Sequence, residues 1–419
     1  MPDAVLHLSS LAGSPLLDSA GGRLGRVRDV VARLDTGDGL PPVVGLRASI
    51  GGRDMFVPAG RIDRLEPDAA HTSTTKLNLA QFERRTGEVL LRADVLDRTL
   101  IDVERARLVR AREVDLVCQD DAWRLAGVDT SFRARLRRLM PRRFRRHQPE
   151  EEEFVPWDRM EAFVGHVPTS RLKLPVRRLA RLHPHQIADL VEAASHEEGE
   201  EILEAVGHDK ELEADVFEEL DDEHQVEFLN ERSDEEAAAV LDRMEPDDAA
   251  DLLLELDQVR RLPILNLLPA AKQRKIKSLL GYNPETAGGL MNPDFLSAPG
   301  TALIVDTLAR AKSSGLEPQE LGTIWVVDES GALAGAALLA ELITAPEQDT
   351  LQSLVETRLP MVTPETDVPE LARLMSDYNL MAMPVVDGDG KPIGVVSVDD
   401  LLERLIPEEW RWRAGAARD

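Results

Sequence analysis

A chain of 419 residues is too long for one compact core and has room for two to four domains, of which three are expected. Its 77 acidic and 50 basic residues give a formal net charge of -27, which repels nucleic-acid phosphates and leaves cations as the natural counter-partners. The single cysteine, Cys118, excludes an internal disulfide framework. Without a leader pattern or an apolar run of about 18 residues, the chain is expected in the cytoplasm and is not expected to form a pore.

Residues 1–130 read as strands. Short alternating segments, GRVRDVVARLD (25–35), PVVGLRA (42–48) and DMFVPAG (54–60), are separated by Gly/Pro turns. A second cycle begins at Glu88, where EVLLRADVLDRTLIDVERARLVRAREVDLV (88–117) and AWRLAGVDTS (122–131) repeat the plan of the first. Both halves resemble the PRC-barrel, a small β-barrel module. Residues 131–169 are expected to be a linker. Eight arginines fall between 131 and 147 and are followed by the acidic run Glu150 to Glu153. The arginines are read first as a solvated amphipathic helix and second as a peripheral contact to acidic lipid or an acidic partner.

Residues 170–282 are acidic, nearly free of glycine and helical in period. HPHQIADLV (183–191), HEEGEEIL (196–203), DDEHQVEFL (221–229), SDEEAAAVL (233–241) and EPDDAADLL (245–253) form a series of units, the last three at a twelve-residue step. Each opens on a capping residue or an acidic first turn, so the spacing predicts consecutive short helices stacked in a superhelical array.

Beyond Met291 the pattern alternates between β and α. VVDESGALAGAALLAELI (326–343) superposes on VVDGDGKPIGVVSVDDLL (385–402) at an offset of 59 residues, matching Asp328 with Asp387, Gly331 with Gly390 and Gly335 with Gly394. This is an internal duplication of a β-α-β-β-α unit. It resembles a pair of cystathionine-β-synthase (CBS) domains. The preceding LLGYNPETAGGLMNPDFLSAP (279–299) is similar to the connector of MgtE magnesium transporters, and EPDDAADLLLEL (245–256) to the signature of their N domain.

The expected architecture is therefore multidomain α+β: an N-terminal β-barrel, a central helical superhelix (170–282), a connector with tandem CBS domains (283–408) and a tail (409–419). The resemblance implies a non-enzymatic magnesium sensor that acts on a separate membrane or cytosolic partner, dimerises through its CBS pair and binds no nucleic acid. It implies Mg²⁺ ligation by Asp247 and Asp251, four apart on one helix face, and by Asp367, Asp400, Glu408 and the carbonyl of Ser376. Pro369, Asn379 and Arg411 stand where the family tends to be acidic, which thins the cluster. Ser397 and Asp400 fit the S-x-x-D string with which CBS pairs hold adenine nucleotides. Two rival readings follow: a cation-indifferent scaffold and a nucleotide-responsive regulator. A helix-capping role for each carboxylate is the plain alternative.

Overall fold

The computed structural model describes residues 5–34, 39–74, 81–85, 87–132, 153–162, 179–316 and 318–406, and divides into two compact units, Met1–Leu212 and Glu213–Asp419. No helix among the described residues is long and apolar enough to cross a membrane.

The first unit is sheet-rich. Strands β1 (Val5–His7), β2 (Pro15–Leu17), β3 (Arg23–Arg33), β4 (Val43–Ile50), β5 (Arg53–Pro58), β6 (Ile62–Glu66), β7 (Ala69–Thr72) and β8 (Glu88–Leu90) make up the first cycle and the start of the second. The second continues with β9 (Thr99–Asp102), β10 (Arg107–Arg110), β11 (Glu113–Gln119), β12 (Ala122–Asp129), β13 (Phe154–Pro156) and β14 (Met160–Ala162). Residues 154–162, inside the stretch read as a linker, thus form two strands, paired to β12 and β9. The sequence conceals this because each strand is only three residues long.

No closed barrel forms among these strands. One sheet runs β5-β4-β3-β2-β7-β6 and leaves its end strands unpaired with each other, while the second cycle spreads over two sheets. A register shift between Val27 and Asp29 bends β3, and at the matching place in the second cycle, Ala111–Arg112, the strand is interrupted altogether.

The cycles exchange parts. Strand β1 pairs with β11 of the second cycle, and β8 pairs with β3 of the first. The helical turns that follow β1 and β8 are α1 (Leu8–Leu11) and the π-turn Leu91–Val95. Each is capped by a carboxylate from the opposite cycle: Ser9 N–H donates to Glu113 Oε1 at 3.0 Å, and Arg92 and Ala93 N–H donate to Asp29 at 2.7 and 3.1 Å. Asp29 and Glu113 occupy matching places in R-V-R-D-V and R-A-R-E-V. Burial pushes both carboxyls up, Asp29 to about 6. Replacing either acid by alanine orphans amide donors in the other half and is expected to cost roughly 1–3 kcal/mol. Hydrogen exchange checks the cross-talk: Glu113→Ala should deprotect residues 8–12 and Asp29→Ala residues 91–96, rather than each residue's own strand.

Helices α2 (Pro184–Ala193) and α3 (His196–Val206) close the first unit, and α4 (Lys210–Glu218) spans the boundary. In the second unit follow α5 (Asp222–Asn230), α6 (Asp234–Leu241), α7 (Pro246–Glu255), α8 (Gln258–Leu267) and α9 (Ala270–Leu279). The punctuation is chemical. Asp221 accepts from His224 N–H at 2.8 Å, Ser233 shares a reciprocal cap with Glu236, and Pro246 occupies the first turn of α7. Apolar faces carrying Phe217, Phe228, Leu241, Leu253 and Ile264 are buried.

The duplicated C-terminal region keeps its internal symmetry. Strand β15 (Ser297–Pro299) runs parallel to β16 (Thr323–Val327), which pairs antiparallel with β17 (Leu333–Leu338); α10 (Ile304–Ser313) and α12 (Leu339–Thr344) accompany them, with the short α11 (Pro318–Leu321) before β16. In the second copy α13 (Val368–Tyr378), β18 (Ala382–Val386), β19 (Pro392–Ser397) and α14 (Val398–Leu405) follow the same plan. Asp328 and Asp387 each turn the hairpin by accepting two backbone N–H groups, and Gly331 and Gly390 supply the positive φ. Leu333 N–H donates to Gly390 carbonyl at 2.8 Å, joining the two turns.

Candidate metal and regulatory site

The site lies within the second unit, where the start of α7 meets the start of α14. Pro246 fixes the first turn of α7, which places Asp247 and Asp251 on one face. Asp247 is 7% exposed, and its Oδ1 is buried with no hydrogen-bond partner among the described residues. Burial pushes its carboxyl well above the usual range, and the neighbouring Asp400 and Glu245 push it further. Asp248 is raised in the same way, by burial and then by Asp247, Glu218 and Asp400. Asp251 is pushed up to about 6 by burial, with Arg404 opposing and Asp222 and Glu255 adding. Asp400 is raised by burial, while the Ser397 hydroxyl opposes and Asp399 adds. Two helix N-termini thus point carboxylates at one shared, poorly solvated space. The negative charges can be accommodated there by protons or by a cation.

The structure brings Asp247, Asp251 and Asp400 into one neighbourhood and gives two other expected ligands local tasks. Asp367 is exposed and caps α13, accepting from Glu370 N–H at 2.9 Å. Ser376 is exposed, and its carbonyl accepts from Asn379 N–H at 3.3 Å. The residues that depart from the acidic pattern have structural causes. Asn379 ends α13 in the left-handed region at φ 52, and Pro369 sits in the first turn of that helix. Glu408 and Arg411, like most of the arginine run, lie outside the described residues.

Sequence reasoning missed Asp248, Glu218, Glu245, Asn292, Asp294 and Glu320. Asn292 Nδ2 donates to the carboxylates of Glu245 and Glu320, and its backbone pairs both ways with Val395. Only Asp248 and Glu245, inside the E-P-D-D string, carried a local signal; the others converge through space.

These donors suit magnesium. They are hard oxygens, one of them buried and unsatisfied, and Mg²⁺ keeps several waters while taking one or two carboxylates. Among the described residues no group of three or more His, Cys, Asp or Glu side chains is placed to hold a metal ion. Asp247 and Asp400 would hold Mg²⁺, with Asp248 and Asp251 beside them.

The nucleotide string is differently occupied. Ser397 caps α14 and its hydroxyl donates to Asp400, so the two polar groups satisfy each other. The adjoining cavity, lined by Trp325, Ala382, Val395, Ser397 and five carboxylates (Glu245, Asp294, Glu320, Asp399, Asp400), measures about 30 Å³. Ligand pockets run to roughly 300 Å³ or more.

Residues 182–285 match the MgtE intracellular N domain and residues 351–407 the CBS domain. The magnesium transporter MgtE of Thermus thermophilus is 32% identical over 143 residues, 34% of this chain and 32% of that protein. MgtE of Bacillus subtilis is 28% identical over 144 residues, 34% and 32% of the two chains. The chain thus spans about a third of the length of these curated relatives. Among solved structures, the cytosolic domain of the Mg²⁺ channel MgtE in complex with ATP has a TM-score of 0.52 at 28% identity, covering 55% of this chain and 93% of that one. The soluble part of a magnesium transporter has a TM-score of 0.50 at 26% identity, with 55% and 90% covered. The chain therefore carries an MgtE N domain followed by a CBS pair, and in that stretch it is built like the cytosolic region of MgtE magnesium transporters.

Proposed function

We propose that this chain is a non-enzymatic, magnesium-responsive regulator whose helical N domain and CBS pair close on each other when their facing carboxylates share a divalent ion. The observation that carries the reading is Asp247, buried, with no hydrogen-bond partner on Oδ1 among the described residues, and raised by burial and then by Asp400 from the other domain. Two like-charged surfaces resist approach, and a bound Mg²⁺ would supply the positive charge that removes the resistance. Asp247 and Asp400 orient the opposed oxygens, Asp251 and Asp248 add negative potential, and the protein's open and closed arrangements shift in population. A separate partner, a membrane transporter or another protein, would read the closed state. The strand-rich N-terminal unit would tether that partner. The exposed Leu402, Leu405 and Ile343 on α14 and α12 favour a homodimer through the CBS pair.

The test follows proteolysis and melting while MgCl₂ is titrated over roughly 0.1–20 mM, for the parent and for Asp247→Ala combined with Asp251→Ala. Protection of the parent that the double variant loses supports the reading. Equal effects of magnesium and of matched monovalent salt leave only a cation-indifferent scaffold.

The ATP named for the solved relative favours a second reading, adenine-nucleotide binding near Ser397 and Asp400. The small acidic cavity at that place weighs against it in this arrangement. Adding ATP or AMP to the titration decides: a melting shift that Ser397→Ala abolishes would establish the nucleotide site.

A further inference from the structure

The acidic space between the helical domain and the CBS pair is not free of positive charge. Helix α9, written AAKQRKIKSL, brings two ammonium groups close to its edge. Lys275 Nζ donates to both carboxylate oxygens of Asp294, one at 2.7 Å, across the connector that links the helical domain to β15. One turn earlier on the same helix, Lys272 Nζ donates to the carbonyl of Met244, directly before the Glu245 cap of α7. Burial holds the Lys272 ammonium below its ordinary value, while Asp294, Asp242 and Glu218 support its charge.

Asp294 is itself fixed in place. Its N–H donates to Asn292 Oδ1 at 2.8 Å, and Asn292 in turn binds Glu245, Glu320 and the backbone of Val395. Asp294 also lines the small cavity with Glu245, Glu320, Asp399 and Asp400. Lys275 therefore neutralises one of the five carboxylates that line this cavity.

We propose that Lys275 is a built-in counter-charge that holds the helical domain against the connector, and through it the CBS pair, when no divalent ion is present, and so sets the magnesium concentration at which the remaining carboxylates close. The second half of this statement rests on the magnesium reading; the first does not. A lysine is suited to the task because a compact ammonium on a flexible stem follows a moving partner without imposing a fixed fork geometry. Lys275 is a positioning residue: it touches Asp294, not the ion held by Asp247 and Asp400.

The experiment uses the full chain, with limited proteolysis of the connector (residues 280–295) as readout, first in chelator and then along a MgCl₂ titration. Lys275→Met keeps the stem and removes the charge; Lys275→Arg keeps the charge; Lys275→Asp combined with Asp294→Lys reverses the pair. In chelator, Lys275→Met should be cut roughly three- to tenfold faster than the parent, with both charge-preserving variants near the parent rate. Along the titration, its half-protection should need roughly three- to tenfold more magnesium, and protection at saturation should equal the parent's. Equal cutting of Lys275→Met and parent in chelator overturns the proposal. Failure of the reversed pair to rescue overturns it as well, since a merely structural lysine would not be replaced by an exchanged ion pair. Faster cutting in chelator with no magnesium response in any protein keeps the tether and discards the magnesium reading. Far-UV circular dichroism identifies any variant that does not fold, in which case Asp294→Asn supplies the same comparison from the other side of the pair.

Discussion

Asp247→Asn is expected to raise the melting temperature of the chelated protein at pH 7.5 by about 5 °C or more while removing most of the response to magnesium. Asparagine has the size of aspartate without its charge. It removes the cost of burying a charge, the main reason this carboxyl is raised, and the added repulsion from Asp400 and Glu245. It also places an amide where Oδ1 now has no partner. An uncompensated buried charge costs roughly 2–4 kcal/mol, and for a unit of this size each kcal/mol moves the midpoint by about 2–4 °C. A gain of stability coupled to a loss of ligand response is what separates a functional carboxylate from a helix cap, because removing a cap destabilises. Scanning calorimetry of parent and variant, each with chelator and with 20 mM MgCl₂, reads both quantities. A variant that melts below the parent and still responds to magnesium would assign Asp247 a structural role only.

The second large effect is reciprocal between protons and magnesium. The carboxyls of Asp247, Asp248, Asp251 and Asp400 all lie above their ordinary value in the folded state, Asp251 at about 6. A carboxyl raised on folding binds more protons in the native than in the unfolded chain. Its favourable contribution is therefore complete below the unfolded value near 3.8 and is lost as pH rises through the folded value. The chelated protein is accordingly expected to melt higher at pH 5.5 than at pH 7.5. Magnesium bound as proposed would compete with those protons for the same oxygens, so its stabilisation should grow with pH. At an ion concentration ten times the dissociation constant, the gain is about 1.4 kcal/mol, or about 3–6 °C at pH 7.5. At pH 5.5 most of that gain should vanish. Melting curves in both buffers check the pattern, and a magnesium shift independent of pH would place the ion elsewhere. The variant Asp247→Asn with Asp251→Asn should flatten the pH dependence of the second unit, leaving that of Asp29 and Glu113 in the first.

Much of this architecture is legible without coordinates, because it is written in local chemistry. Capping residues and acidic first turns mark the short helices, and the 59-residue offset exposes the CBS duplication through its Asp/Gly turns. The site is legible only in part. Asp247, Asp251 and Asp400 stand in motifs, but Lys275 meets Asp294 19 residues away and Asn292 meets Glu245 47 residues away, and no local spacing encodes these. Asp367 and Ser376 stand at helix ends, where the same oxygen atoms serve the backbone: Asp367 Oδ1 caps α13 and the Ser376 carbonyl accepts from Asn379 N–H. Strands β13 and β14 escaped notice because three residues carry too little periodicity to register.

The crossed pairing in the N-terminal unit has a mechanical consequence. Strand β1 is held by β11, in the opposite half of the duplication, and β8 by β3. A pull applied at the start of the chain therefore loads the second half first, shearing three consecutive pairs from Val5–Val117 to His7–Asp115 before β3 feels any tension. A partner that anchors this end would tug on both halves as one body, so the unit can serve as a stiff handle rather than a string of beads that yields one at a time.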